Sequence, residues 1–111
     1  MFKRNSRLYL DDIKTAIDKI EKYTAGLSFE EFIQNIMAID AVIRNLTVIG
    51  EAAKNITADF KKIHTAVEWK KITGLRDKIT HQYFGINRDI VWDAVKNKAP
   101  ELAGRIDKIP A

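Results

Sequence analysis

The stretch 69-WKKITGLRDKITHQYF-84 decides the fold. Its apolar residues Trp69, Ile72, Leu75 and Ile79 recur at the three-to-four-residue spacing of one buried helical stripe. The spacing predicts a helix, which Phe84-Gly85 stops. Three chemically capable side chains, Arg76, His81 and Tyr83, fall within eight residues of it. At about 100° per residue, Arg76 and Tyr83 nearly eclipse each other beside the apolar stripe, bordering the core. His81 lies roughly 140° round from Arg76. The two therefore meet one substrate only if the helix frays near Gly85 or a second copy of the chain completes the site, which favours a dimer. Asp77, four residues before His81, shares its face and can accept an imidazole N–H, orienting the ring and raising its pKa.

Upstream, Leu10, Ile13, Ile17 and Ile20 mark an amphipathic first helix from Leu8 to about Tyr23, closed by Gly26. Ser28 with Glu31 has the form of a capping box. It opens a second helix whose apolar positions run from Phe29 to about Ala53, predicted as one helix near thirty residues long. Gly50 inside it costs roughly 1 kcal/mol relative to Ala and points to close helix packing. Residues 56 to 65 read as a frayed end and a connection carrying His64. Thr65 with Glu68 repeats the capping-box form before Trp69. Downstream, Asn87 caps a last helix with an inward face of Ile90, Val91, Ala94 and Val95, while Trp92 is free to face a neighbour. Pro100 either kinks that helix or starts a short final one. With no strand-like alternation and no internal repeat, residues 1–111 read as a single all-α domain, an up-and-down bundle of four to five helices.

Nineteen Lys and Arg against fifteen Asp and Glu give a net charge of +4, a modest bias toward an anionic partner such as RNA. The absence of cysteine excludes a thiolate nucleophile, a disulfide framework and a Cys-based zinc site, and fits the cytoplasm. The opening MFKRNSRLYLDDIK meets Asp11 and Asp12 before any apolar run can form a signal peptide, and no later stretch is apolar enough to span a membrane.

Arg76 offers a planar fork for a phosphate, and His81 can move protons near neutrality. Together they suit phosphodiester chemistry. With no closely spaced His and carboxylate ligands of the H-E-x-x-H type, cleavage of RNA without a metal fits better than metal-bound hydrolysis, and no cofactor is expected. His81 then acts as base or acid, and Arg76 stabilises charge on the phosphoryl oxygens. The same three residues also fit a helix that merely skirts the core, with Arg paired, His satisfied by backbone and Tyr packed. Arg44 and Glu51, seven apart on the second helix, share one face. They read either as a solvated face or as groups that hold Arg76 or a phosphate in place. Lys70, Lys71 and Lys78 read as a solvated face that can also steer RNA toward the motif. His64 reads as an ordinary surface or cap residue.

The blocks Arg44-Asn45-Leu46, Ile49-Gly50-Glu51-Ala52, Trp69-Lys70-Lys71-Ile72, Gly74-Leu75-Arg76-Asp77, His81-Gln82-Tyr83-Phe84-Gly85 and Ile90-Val91-Trp92 follow in an order and spacing that resemble the HepT-like branch of the HEPN superfamily. The resemblance covers nearly the whole chain. It departs before Trp69, where Thr65-Ala66-Val67-Glu68 stands in place of a connection that often carries proline. It implies an HEPN-like helical fold and a homodimeric toxin with its motif in a cleft at the dimer interface, cleaving RNA with Arg76 and His81. It also implies a partner, an MntA-type minimal nucleotidyltransferase antitoxin that transfers AMP from ATP onto Tyr83. The alternative is a non-catalytic helical module that binds a nucleotide or RNA and presents a substrate to such a nucleotidyltransferase.

Overall fold

A computed structural model describes residues 5–81 and 87–110, less the side chains of 80 and 81. All its regular structure is helical: α1 (Ser6–Thr24), α2 (Phe29–Gln34), α3 (Ile36–Asn55), α4 (Ala58–Ile63), α5 (Trp69–His81), α6 (Arg88–Asp93), a π-helical turn (Ala94–Lys98) and α7 (Ala99–Ile106). The last three run end to end. The bundle is centred on α3, which packs along α1 on one side and α5 on the other. No helix among the described residues is long and apolar enough to cross a membrane.

Periodicity places the long helices correctly because each hides one stripe. Leu10, Ile13, Ala16, Ile17 and Ile20 of α1 are buried against Ile39, Val42, Leu46, Ile49 and Ala53 of α3. Asn5 caps α1 by accepting the Arg7 N–H at 2.8 Å, and Gly26 leaves it at φ +76°, a conformation that costs glycine little. Val91 and Ala94, with Val95, form the expected inward face of the C-terminal run.

The predicted thirty-residue second helix is two helices. The capping box of Ser28 and Glu31 forms as expected, yet the chain breaks at Asn35. There the Asn35 side chain accepts the Ala38 N–H at 3.0 Å, competing with helix continuation, and its own N–H donates to the Phe32 carbonyl at 3.0 Å. The Arg88 guanidinium takes the Ile33 carbonyl at 3.0 Å. The bend lets Phe32, fully buried, and Phe29 meet the Trp92 ring with centroids 5.0 and 5.9 Å away. Trp92 thus packs within its own chain.

Two other expectations change. The connection after α3 contains α4, capped by Thr57, whose hydroxyl accepts the Phe60 N–H at 3.2 Å; His64 closes it with its ring 4.4 Å from that of Phe60. Thr65 and Glu68 form no capping box. Instead the Trp69 indole N–H donates to the His64 carbonyl at 3.0 Å, and the Glu68 carboxylate pairs with Lys71 at 2.6 Å and Arg105 at 3.2 Å. Pro100 lies in the first turn of a short final helix, α7, one residue after its start. The Ala99 N–H reaches back five residues to the Ala94 carbonyl, and this widened turn precedes the proline whose ring clashes with the fourth carbonyl back in a straight α-helix.

Candidate active site

The α5 stripe divides by depth. Trp69 and Ile79 are buried, whereas Ile72 and Leu75 are half-buried because α5 and the C-terminal run leave an open groove of about 660 Å³ between them. Leu46 and Ile49 of α3 help floor this groove, and Lys71, Lys78, Lys98, Glu101 and Arg105 stand among its charged residues.

Arg76 projects on the other side, over α3. A Cβ added at Gly50 would collide with the Arg76 Cβ and Cγ and lie 3.4 Å from its Cδ. The glycine therefore lets the arginine stem lie flat on the α3 backbone and carry its guanidinium to the next residue, Glu51. Arg76 Nη2 donates to Glu51 Oε1, and Nη1 donates to Asp77 Oδ1 at 3.1 Å. Arg76 is 23% exposed against 43% for Glu51 and 57% for Asp77, so the cation is the most sheltered member of the trio. Nε is buried without a hydrogen-bond partner among the described residues. Of five guanidinium N–H groups, two are held by carboxylates, which fixes the plane and leaves one donor on each terminal nitrogen for an anion.

Glu51 is thus brought to Arg76. The partner of Asp77 among the described residues is Arg76; the expected Asp77 contact with His81 involves a side chain outside the described residues. His81 is the last residue of α5, so its backbone stays helical relative to Arg76. Tyr83 lies outside the described residues, as does the expected stop at Phe84-Gly85. Arg44 is exposed on α3 and has no hydrogen-bond or ion-pair partner among the described residues. Lys70 is exposed, near the Asp77 side of the helix by its seven-residue spacing. Lys71 and Lys78 line the groove instead, and Lys71 is engaged by Glu68. That hydrogen bond lowers the Glu68 carboxyl below its ordinary value and raises the Lys71 ammonium. Among the described residues no three His, Asp or Glu are grouped to hold a metal ion.

Sequence reasoning missed Arg105 and only half-read Gly50. Arg105 donates to the Ala66 carbonyl at 2.7 Å and pairs with Glu101 and Glu68, tying α7 to the connection that launches α5. The Glu101 to Arg105 spacing was its only sequence signal. For Gly50 the signal was a glycine inside a strong apolar pattern, which announces a close neighbour without naming it.

Fold and site together define a small all-α domain that pre-orients one arginine between two carboxylates at a helix crossing. The chain belongs to the HepT-like family: residues 13–109 match the family model described as Ribonuclease HepT-like. It is 42% identical over 107 residues to a protein of Thermococcus cleftensis named "Probable ribonuclease HepT", covering 96% of this chain and 97% of that one. Two proteins bearing the name "Putative RNase" are also similar. One, from Methanocaldococcus jannaschii, is 43% identical over 98% of this chain and 90% of its own. The other, from Caldanaerobacter subterraneus subsp. tengcongensis, is 37% identical over 96% and 95%. No solved structure matches the chain.

Proposed function

We propose that this chain is a metal-independent endoribonuclease, the toxin of a toxin-antitoxin pair acting in the cytoplasm. The observation that carries this reading is the Arg76 guanidinium, held by Glu51 and Asp77 over Gly50, in a chain whose relatives bear ribonuclease names. In the reaction a base removes the proton of an RNA 2′-hydroxyl, whose oxygen attacks the adjacent phosphorus. The bond to the 5′-oxygen breaks as an acid protonates that leaving group, giving a cyclic phosphate and a 5′-hydroxyl. Arg76 stabilises the charge that gathers on the phosphoryl oxygens, and His81 serves as base or acid. Because α5 remains helical through His81, the two residues leave the helix roughly 140° apart, which supports completion of the site by a second copy. Lys70 adds positive charge on the Asp77 side of α5, while Lys71 and Lys78 carry theirs in the groove on the other side.

The partner in this reading is a minimal nucleotidyltransferase antitoxin of the MntA type. It places AMP on Tyr83, adding bulk and negative charge where an RNA phosphate must enter. Incubation with that partner and ATP is expected to add AMP mass to the wild type and none to Tyr83→Phe; equal addition to both would remove Tyr83 as the acceptor.

The deciding experiment incubates wild type, Arg76→Ala and His81→Ala with total RNA in EDTA, after mass measurement confirms an unmodified Tyr83. Cleavage by the wild type alone, abolished when the target nucleotide carries a 2′-deoxy sugar, is the expected result. A folded, unmodified wild type that binds RNA without cutting it overturns the enzyme in favour of the binding module.

A further inference from the structure

The outer face of α3 carries three charges that no described residue pairs with. Counted at about 100° per residue, Asp40, Arg44, Thr47, Glu51 and Lys54 fall within roughly 80° of one another, on the side of α3 away from the core. Asp40, Arg44 and Lys54 are exposed, and none has an ion-pair or hydrogen-bond partner among the described residues. Asp40 and Arg44 stand four apart, a spacing at which helix neighbours commonly pair, yet they do not. At the head of the same helix Ile36 and Met37 are 68% and 84% exposed, the latter the most exposed large apolar residue described.

The order of these charges is informative. Read along the helix it is minus, plus, Thr47, minus, plus, so the pattern reverses sign about its midpoint. A helix face of that kind is complementary to itself when two copies meet antiparallel across a two-fold axis, because every charge then finds its opposite. We propose that the outer face of α3 pairs with that of a second copy about an axis near Thr47. In that arrangement Arg44 meets the partner's Glu51, Asp40 meets the partner's Lys54, and Met37 is carried toward the partner's Ala58 at the start of α4. This rests on the dimeric reading above and gives it a surface and a register.

The arrangement also reaches the arginine site. Glu51 lies about 5 Å from the axis along the helix at 1.5 Å per residue, so the two Glu51 residues are roughly 10 Å apart in that direction. Each Glu51 holds Arg76 of its own chain and receives Arg44 from the other. Two Arg76 groups then share one cleft, with Arg44 a positioning residue contributed across the interface. An axis near Val42 is the competing register. It would set Asp40 against the partner's Arg44 but carry Glu51 and Lys54 past the start of the partner's α3 at Ile36, so within α3 only the axis near Thr47 gives all four charges an opposite.

Charge reversal at the pair remote from Arg76 tests this. Light scattering on purified full-length chains, without RNA, gives the mass of wild type, Asp40→Lys, Lys54→Asp and the double exchange. A two-chain wild type is expected. Each single reversal is applied twice by symmetry and raises the dissociation constant by about tenfold or more, and the double exchange restores the dimer. A single-chain wild type, unaltered single variants, or a double exchange that stays dissociated overturns the proposal. Rescue of Asp40→Lys by Arg44→Asp instead of Lys54→Asp overturns the register. The chain has no cysteine, so Thr47→Cys supplies one thiol per copy. A short bis-maleimide cross-linker is expected to join these two residues in dilute solution, and failure to join them in a dimeric variant also overturns the register. RNA cleavage is scored separately: a cleaving monomer overturns the interface alone, and an inert dimer of this register overturns the ribonuclease alone.

Discussion

Gly50 and Arg76 face each other across the crossing of α3 and α5 with no room for one more carbon. The atoms a Cβ would strike are the Arg76 Cβ and Cγ, tethered to the α5 backbone, so the obstruction is not a floppy side-chain end. Gly50→Ala gains about 1 kcal/mol in helix propensity. Overpacking costs roughly 1–3 kcal/mol, and here the cost wins because relief requires the two helices to part. The expected outcome is a lower urea midpoint together with loss of RNA cleavage. A Gly50→Ala chain as stable and active as the wild type would mean that α5 slides freely.

Glu51 orients a cation that is largely covered. Because Glu51 itself is 43% exposed, its pairing contributes only about 0–1 kcal/mol to stability. Its effect on cleavage is larger, since displacement of a stabilising group by about 1 Å can cost on the order of a hundredfold. Glu51→Ala is expected to lower kcat ten- to a hundredfold with a nearly unchanged melting temperature, and Glu51→Gln to recover part of the rate by keeping an acceptor. Equal losses in the two variants would remove Glu51 as the group that aims Arg76.

Asn35 turns the chain between α2 and α3 and supplies the only side-chain cap of α3 among the described residues. Asn35→Ala removes that acceptor from the Ala38 N–H and is expected to cost about 0.5–2 kcal/mol in urea unfolding. Asn35→Asp keeps an acceptor and is expected to stay within a few tenths of the wild type.

Acid should loosen the start of α2. The Glu31 carboxyl lies below its ordinary value of 4.5 because the Ser28 backbone N–H donates to it, with the Ser28 hydroxyl adding to the effect. A carboxyl lowered by folding contributes stability above its unfolded pKa and loses it as pH falls through the folded value. The urea midpoint of the wild type should therefore exceed that of Glu31→Gln at pH 7 and approach it as pH falls through and below 4.5. A difference that is flat with pH would assign the cap to geometry alone.

The bundle was legible wherever one stripe per helix had to be hidden, as on α1 and most of α3. It was illegible where a side chain overrides the stripe. Apolar spacing continues straight through Asn35, and only the contest between its amide and the helix backbone, together with Arg88 drawing on the Ile33 carbonyl, breaks the helix there. Thr65 and Glu68 show the converse: the capping-box spelling was present, but Arg105, thirty-seven residues on, had a competing use for the carboxylate. At the site, the shared face of Arg44 and Glu51 was visible from their spacing. Which of them reaches Arg76 depended on a crossing point that no local pattern encodes.

The widened turn before Pro100 acts as an angular correction. In a straight α-helix begun at Val91, the buried residues Ala99, Leu102 and Ile106 would drift about 60° from the direction set by Val91, Ala94 and Val95, carrying the end of the chain off the bundle. Underwinding over five residues turns them back. The seam that brings Arg105 to Ala66 and Glu68, and so fixes where α5 begins, is kept in phase by a turn whose length differs from its neighbours by a single residue of hydrogen-bond reach.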